Sequence, residues 1–156
     1  MDDLASITRI YNQAVRQGFC TAHLEEVSLK KQELWLQEHE ADRFPVLILE
    51  AKEVVIGWLS LSPYRKGRQA FAAVAEVSYY LDQEWQGQGQ GSYLLNYAIR
   101  KAPDWGFQVL IAILLDRNPA SLALLQKFGF REWGRMPELA VIGDQKADHL
   151  YYGLKL

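Results

Sequence analysis

The sequence is poor in the residues that build disulfides, metal sites and nucleic-acid surfaces. A single cysteine, Cys20, excludes an internal disulfide, and three scattered histidines argue against a zinc site, so we expect no metal. The net charge is −2 and no run of lysine or arginine exceeds two residues, so no nucleic-acid partner is expected.

Long apolar runs are also missing. No segment approaches the length needed to cross a bilayer, so no membrane partner is expected. The free cysteine and the lack of a signal-like apolar stretch near Met1 together predict a cytoplasmic protein.

What the chain has is a globular composition. Its 156 residues are 49% apolar and 23% charged, which is typical of one domain that buries a core without metal or disulfide support. We therefore treat residues 1–156 as a single domain. There is no internal repeat or linker.

The first third of the chain predicts two helices. Asp2 or Asp3 can cap the first helix, which ends near Gly18. Its apolar face is formed by Leu4, Ile7, Ile10, Tyr11 and Ala14. A second helix is predicted from Ser28 to about Glu40, with Leu29, Leu34, Trp35 and Leu36 as candidates for its inner face.

The remainder alternates strands and helices. A hairpin is predicted over 46–50 and 54–61, a strand over 73–81, a helix over 91–101 and a continuously apolar central strand over 109–115. Asn118-Pro119 opens another helix that Gly129 closes, and two strands follow over 130–141 and 148–156. The order ααβββαβαββ predicts an α/β fold with a mixed sheet and helices on both faces.

A glycine-rich loop between the 73–81 strand and the next helix is the main candidate for a binding site. It runs through Gln86, Gly87, Gln88, Gly89, Gln90, Gly91 and Ser92. Glycines at a helix N-terminus let backbone N–H groups approach a phosphate, although a flexible surface turn would have the same composition. Neither the dinucleotide fingerprint nor the phosphate-binding loop with Gly-Lys-Ser/Thr is matched.

The spacing Gln86, Gly89, Gly91 resembles the acyl-CoA motif of the GNAT superfamily of N-acetyltransferases. The resemblance extends over essentially the whole chain and is strongest for the phosphinothricin or methionine sulfoximine acetyltransferase-like branch. The matching segments are 10–12, 55–58, 76–81, 118–121 and 127–130. The family usually has a strand ahead of the first helix, so this sheet is expected to lack its first edge strand, or a partner chain covers that edge.

The resemblance implies acetyl-CoA as co-substrate, a small-molecule amine as acceptor and a homodimer. It implies that backbone groups of Tyr79, Tyr80 and Leu81 bind the pantetheine arm, and that residues 86–92 hold the pyrophosphate. Asn118 and Ser121 are implied as further cofactor contacts, although Asn118 is equally suited to cap a helix. Leu125 stands where many relatives carry a tyrosine that acts as general acid.

Glu76 is the candidate general base. It shares a strand face with Val74, Ser78 and Tyr80, and the resembling enzymes have a glutamate proposed as base at this position. A carboxylate that only pairs with a neighbouring arginine is the alternative.

The acceptor pocket is less well defined by sequence. Its candidate walls are Trp58, Tyr64, Phe71 and Trp133, which are equally compatible with a core. The basic loop residues Arg65, Lys66 and Arg68 either attract a carboxylate or are simply solvated. Ala72 and Ala147 stand where the branch carries a basic residue and a histidine, which disfavours recognition of a phosphinate or sulfoximine.

The sequence thus predicts an N-acetyltransferase for a small amine or amino acid. A protein N-terminal or ribosomal-protein acetyltransferase, a non-catalytic acyl-CoA-binding module and a nucleotide-phosphate binder are the alternatives.

Overall fold

The computed structural model describes residues 3–156, which form a six-stranded mixed sheet with helices on both faces. The α/β fold class is therefore confirmed. Within these residues the helices are α1 (Leu4–Gln17), α2 (Leu29–Gln37), α3 (Gln90–Lys101) and α4 (Pro119–Lys127). The strands are β1 (Val46–Ala51), β2 (Val54–Pro63), β3 (Val74–Leu81), β4 (Val109–Leu115), β5 (Arg131–Ile142) and β6 (Gln145–Lys155).

The strand order across the sheet is β1-β2-β3-β4-β6-β5, and all neighbours are antiparallel except β3 and β4. Over residues 3–156 no strand precedes α1, and β1 lies at one edge of the sheet, as the missing first strand predicts. No helix in this part of the chain is long and apolar enough to cross a membrane.

The start of α1 differs from the expectation. Asp3 occupies the N-cap position, but its side chain accepts no capping hydrogen bond, and Asp2 lies outside the described residues. The helix ends as predicted at Gly18, whose φ of 70° lies in a region that glycine adopts more easily than any other residue.

Two other predicted elements need correction. α2 stops at Gln37 instead of Glu40, and Leu29 and Leu34 point outward, with 53% and 56% of their surface exposed. Only one side of this short helix reaches the sheet, where Trp35 packs against Trp58, so the leucines on the other side have no core to enter. β6 begins at Gln145 and not at Asp148, because its pairing with β5 continues up to the turn.

The sheet separates two apolar cores because side chains alternate along its strands. On one face, Leu59 and Leu61 of β2 join α3 and α4 in the larger core. On the other face, Trp58 packs with Ile7 and Ile10 of α1 and donates a 3.2 Å hydrogen bond from Nε1 to the Ile7 carbonyl.

The central strands separate soon after they meet. β3 and β4 pair only over Val74–Glu76 and Val109–Ile111, whereas the pairing of β2 with β3 continues to Leu81. Gly57 permits this last contact, since a Cβ there would lie 2.5 Å from the Leu81 side chain. A wedge therefore opens between the ends of β3 and β4.

α1 is anchored to the end of β3 through Asp82, which is only 7% exposed. Arg9 forms an ion pair with the Asp82 carboxylate and also donates to the Val55 carbonyl at 3.2 Å. Burial raises the pKa of Asp82, but hydrogen bonds from Arg9 and from the Glu84 N–H, together with the Arg9 charge, outweigh it and hold that pKa below its usual value.

Removing the charge of Asp82 should therefore destabilise the fold in a pH-dependent manner. We expect Asp82→Asn to lower the free energy of unfolding at pH 7 by about 1.5 kcal/mol, the lower end of the range for a hydrogen bond to a charged group. Because the folded pKa is depressed, the contribution is present above about pH 4 and is lost as pH falls through the folded pKa.

Denaturant unfolding at pH 7 and pH 3 measures this difference. The matched control is Arg16→Met. Arg16 also lies on α1, its exposed ion pair is with Glu26 in the following loop, and its loss should cost less than about 1 kcal/mol at either pH. If Asp82→Asn lowered the free energy of unfolding as much at pH 3 as at pH 7, the stabilising role of the ionised Asp82 carboxylate would be contradicted.

Candidate functional site

The wedge between β3 and β4 contains a cavity of about 480 Å³. The β4-facing edge of β3 has no strand partner beyond Glu76, so the backbone of residues 77–81 is open to this cavity. Most of the predicted cofactor residues line it: Tyr79, Tyr80, Leu81, Gln86, Gly87, Gly89, Gly91, Ser92, Asn118 and Ser121. Gln88 and Gln90 are the two described candidates that do not.

The glycine loop presents bare backbone donors to the cavity. Within residues 3–156, no acceptor lies in hydrogen-bond geometry with the N–H groups of 87–92; the first amide to be satisfied is that of Tyr93, which donates to the Gly89 carbonyl at 3.0 Å. Gly87 and Gly89 have φ values of 72° and 84°, which place the loop in the left-handed region. These donors and the N-terminus of α3 together suit an anion.

The glutamines of the loop shape it by hydrogen bonds to the preceding backbone. Gln86 donates from Nε2 to the Leu81 carbonyl at 3.2 Å, and Gln88 donates to the Glu84 carbonyl at 2.7 Å. Gly91 brings the first turn of α3 against the end of β3, since a Cβ there would lie 3.2 Å from the side chains of Leu81 and Leu124.

Lys127 is a cavity residue that sequence reasoning missed. Its Nζ donates to Ser92 Oγ at 3.1 Å and adds a positive charge beside the bare amides. The helical pattern places Lys127 in the last turn of α4, but only the tertiary fold shows that this turn faces the start of α3.

The first turn of α4 forms the opposite wall. Asn118 caps this helix by accepting a 3.2 Å hydrogen bond from the Ser121 N–H through Oδ1, which leaves its side-chain NH₂ group available as a donor. The Ser121 hydroxyl is 2.7 Å from the Tyr79 hydroxyl, and burial raises the pKa of Tyr79 to about 12. Leu125 is 1% exposed, as expected of a core residue.

A second cavity of about 260 Å³ lies on the other face of β2 and β3, under α1 and α2. The register pairs Trp58 with Tyr80, Ser60 with Ser78, and Ser62 with Glu76, and all six residues line this cavity. Ser78 and Tyr80 line both cavities, so the two spaces meet at β3.

Glu76 is the only acidic side chain, among the described residues, in the wall of the second cavity. No residue within 3–156 forms a hydrogen bond or ion pair with its carboxylate, so the expected alternative of a structural pair with arginine is not seen. Burial raises the pKa of Glu76 above its ordinary value. An unpaired, partly desolvated carboxylate of this kind can accept a proton.

Of the four aromatic residues predicted for the acceptor pocket, only Trp58 lines this cavity. Tyr64 and Phe71 pack edge to face on each other with ring centroids 5.7 Å apart, and Trp133 lies on β5, 49% exposed. Tyr11 of α1 and Trp35 of α2 also line this cavity, and the sequence did not predict them as pocket residues. Strand spacing gives no information about which helices cover a strand. The loop residues Arg65, Lys66 and Arg68 are exposed, and Lys66 pairs with Glu38.

Comparison with known proteins gives a family match over most of the chain. The model of the acetyltransferase (GNAT) family matches residues 5–130. The protein YwnH of Bacillus subtilis (strain 168) is 36% identical over 155 residues, 99% of this chain and 94% of its own. The L-methionine sulfoximine/L-methionine sulfone acetyltransferase of Salmonella typhimurium (strain LT2) is 30% identical over 154 residues, which cover 99% of this chain and 90% of that protein.

Solved structures of related acetyltransferases have the same fold over nearly the whole chain. A GNAT superfamily phosphinothricin acetyltransferase from Sinorhizobium meliloti, in complex with AcCoA, superposes with a TM-score of 0.92 at 29% identity, covering 99% of this chain and 84% of that one. A ribosomal-protein-alanine N-acetyltransferase from Brucella melitensis also has a TM-score of 0.92, at 32% identity, covering 99% and 95% of the two chains.

Proposed function

The chain belongs to the acetyltransferase (GNAT) family and is an acetyl-CoA-dependent N-acetyltransferase; from that premise we propose that its acceptor is the primary amine of a small molecule or free amino acid. Glu76 is the general base in this proposal. The observation that carries it is the meeting of the two cavities at Ser78 and Tyr80, with Glu76 in the smaller one.

The larger cavity is the proposed site for coenzyme A. The bare amides of 87–92, the N-terminus of α3 and Lys127 supply the positive potential that a pyrophosphate needs. The pantetheine arm carries amide groups that can pair with the open edge of β3 at Tyr79–Leu81 as an added strand does. The side-chain NH₂ of Asn118 and the Ser121 hydroxyl are positioned to contact the same arm.

The smaller cavity is the proposed acceptor site. Glu76 accepts a proton from the ammonium, directly or through water, and the freed lone pair attacks the thioester carbonyl. Strand N–H groups near Tyr79 to Leu81 stabilise the oxyanion, and collapse of the tetrahedral intermediate breaks the C–S bond. With leucine at position 125, the departing thiolate takes its proton from water or from the attacking amine.

A ribosomal-protein or N-terminal acetyltransferase is the nearest rival, since the Brucella protein is named for that activity. An extended peptide needs an open groove, whereas the 260 Å³ cavity is covered by side chains of α1 and α2 and matches one small molecule. A non-catalytic acyl-CoA-binding module would have no use for an unpaired carboxylate at the junction of the two cavities.

Two further predictions remain proposals. A homodimer is supported by the uncovered β1 edge and by exposed apolar residues on β5, where Leu139 and Val141 are 60% and 56% exposed. A cytoplasmic location rests on the sequence alone.

Gly89→Val tests the phosphate cradle. A β-branched side chain is disfavoured at a φ of 84° and would reorient the bare amides, so we expect the affinity for coenzyme A, measured by calorimetry, to fall about 100-fold or more. Gly106→Val is the matched control, because Gly106 has a φ of 85°, open space around its Cβ position and no place in either cavity. Equal affinities of the two variants for coenzyme A would contradict the placement.

Glu76→Gln tests the base. We expect kcat at neutral pH to fall about 100-fold or more, with coenzyme A affinity nearly unchanged. Glu50→Gln, an exposed change on β1, is the control and should retain activity. Unchanged turnover in the Glu76 variant would remove this residue from the mechanism.

Stability separates a chemical effect from unfolding. Because the folded pKa of Glu76 is raised, its protonated form contributes stability that is lost as pH rises through that pKa. Replacement by neutral glutamine should therefore leave the free energy of unfolding at pH 7 equal to that of the wild type or higher.

A product screen tests the acceptor class. The purified protein is incubated with acetyl-CoA and a panel of amino acids, sulfoximines, polyamines and N-terminal peptides, with thiol release and mass spectrometry as readouts. We expect acetylated amino acids or small amines. Acetylated peptides alone would favour the protein acetyltransferase, and tight coenzyme A binding with no product would favour the non-catalytic module.

A further inference from the structure

The second cavity has opposite charges on different walls. Glu76 projects from β3, and Lys31 lines the cavity from α2. Lys31 forms no ion pair with any residue in 3–156, so both charged groups are free to meet a ligand. A zwitterion, with an ammonium and a carboxylate, is complementary to this arrangement.

Gln32 strengthens the cationic side. The residue is 6% exposed and lines the same cavity, and no described residue shares a hydrogen bond with its side-chain amide. The amide is open to the cavity, and its NH₂ group can donate to a carboxylate held by the neighbouring Lys31.

The other titratable groups facing Lys31 do not compete with it for an anion or neutralise it. His23 shares a hydrogen bond with the Tyr11 hydroxyl, and burial together with the nearby Lys31 charge lowers the pKa of His23, so this imidazole is neutral at pH 7. Burial raises the pKa values of Tyr11 and Tyr80, which stay protonated.

Four aromatic residues line the second cavity together with the two charged groups. We call them the aromatic wall: Tyr11, Trp35, Trp58 and Tyr80. The rings of Trp58 and Tyr80 lie 4.7 Å apart, those of Tyr11 and Tyr80 4.9 Å, and those of Trp35 and Trp58 5.3 Å. Such a wall favours an apolar substituent over a second anion.

We propose that Lys31 and Gln32 bind the carboxylate of a free α-amino acid with an apolar side chain, while its ammonium faces Glu76. Lys31 is then a specificity-determining residue that distinguishes a free amino acid from a simple amine or a peptide-like amide. This inference rests on the proposed function, since it assigns the acceptor within the same cavity.

Kinetics on phenylalanine, phenylalaninamide and phenethylamine test the proposal. The three compounds share one side chain, and only the first has a carboxylate. We expect Lys31→Met to lower kcat/KM for phenylalanine about 10- to 100-fold, the loss of one charge-assisted hydrogen bond, and to change the value for the other two less than about twofold. Comparing variants substrate by substrate cancels the intrinsic reactivity of each amine.

Lys30→Met is the matched control. Lys30 is the adjacent exposed lysine on α2 and does not line the cavity, so this variant removes the same charge from the same helix without touching the site. It should leave all three values unchanged. An equal effect of Lys31→Met on the three compounds, or no effect on phenylalanine, would overturn the proposal.

Binding separates this inference from the proposed function. Calorimetric titration of the CoA-loaded protein with phenylalanine and with phenethylamine needs no turnover. Carboxylate-dependent binding that Lys31→Met abolishes, in a protein without activity on any amine, would support the acceptor pocket and reject the catalytic proposal. Phenylalanine binding that Lys31→Met leaves unchanged, in a protein that acetylates phenylalanine and phenethylamine, would reject the carboxylate site and leave the transferase intact.

Discussion

The short pairing of β3 with β4 is the constraint on which the site depends. Three residue pairs join the strands at Val74–Glu76, and the chains then diverge because each continues to pair with its other neighbour, β2 or β6. The divergence leaves one edge of β3 unpaired inside the molecule, where unsatisfied backbone groups are costly. In the proposed function, the amide groups of the pantetheine arm satisfy them.

Both cavities derive from the same strand. Alternation along β3 sends Glu76, Ser78 and Tyr80 toward α1 and α2, while the strand edge faces the wedge. The ion pair of Asp82 with Arg9 and the hydrogen bond from the Gln83 N–H to the Gln13 side chain join the end of β3 to α1, a few residues before the glycine loop. The proposed cofactor site on the edge of β3 and the proposed acceptor site on its face therefore lie next to each other.

Local patterns predicted much of this arrangement. The hairpin at Lys52-Glu53, the apolar run of β4 and the Asn118 cap are encoded within a few residues each, and the structure has all three. The positions of Glu76 on β3 and of the glycine loop before α3 were also predicted, because both follow from the order of strand, turn and helix along the sequence.

What the sequence could not predict depends on contacts between distant segments. Periodicity favours Leu29 and Leu34 as inward residues, but α2 touches the sheet through Trp35 and leaves both leucines in solvent. Lys127 reaches Ser92 across 35 positions of sequence, and Lys31 and Gln32 join Glu76 only because α2 covers β3. Trp133 was expected in the acceptor pocket but lies exposed on β5, because the sequence does not show which surfaces face the cavity.

Amide chemical shifts during titration test the central claim most directly. With ¹⁵N-labelled protein, coenzyme A should shift the amide resonances of 87–92 and of 79–81, whereas pantetheine, which lacks the pyrophosphate, should shift those of 79–81 and leave the loop unchanged. Coenzyme A binding that leaves the 87–92 amides unperturbed would contradict the account.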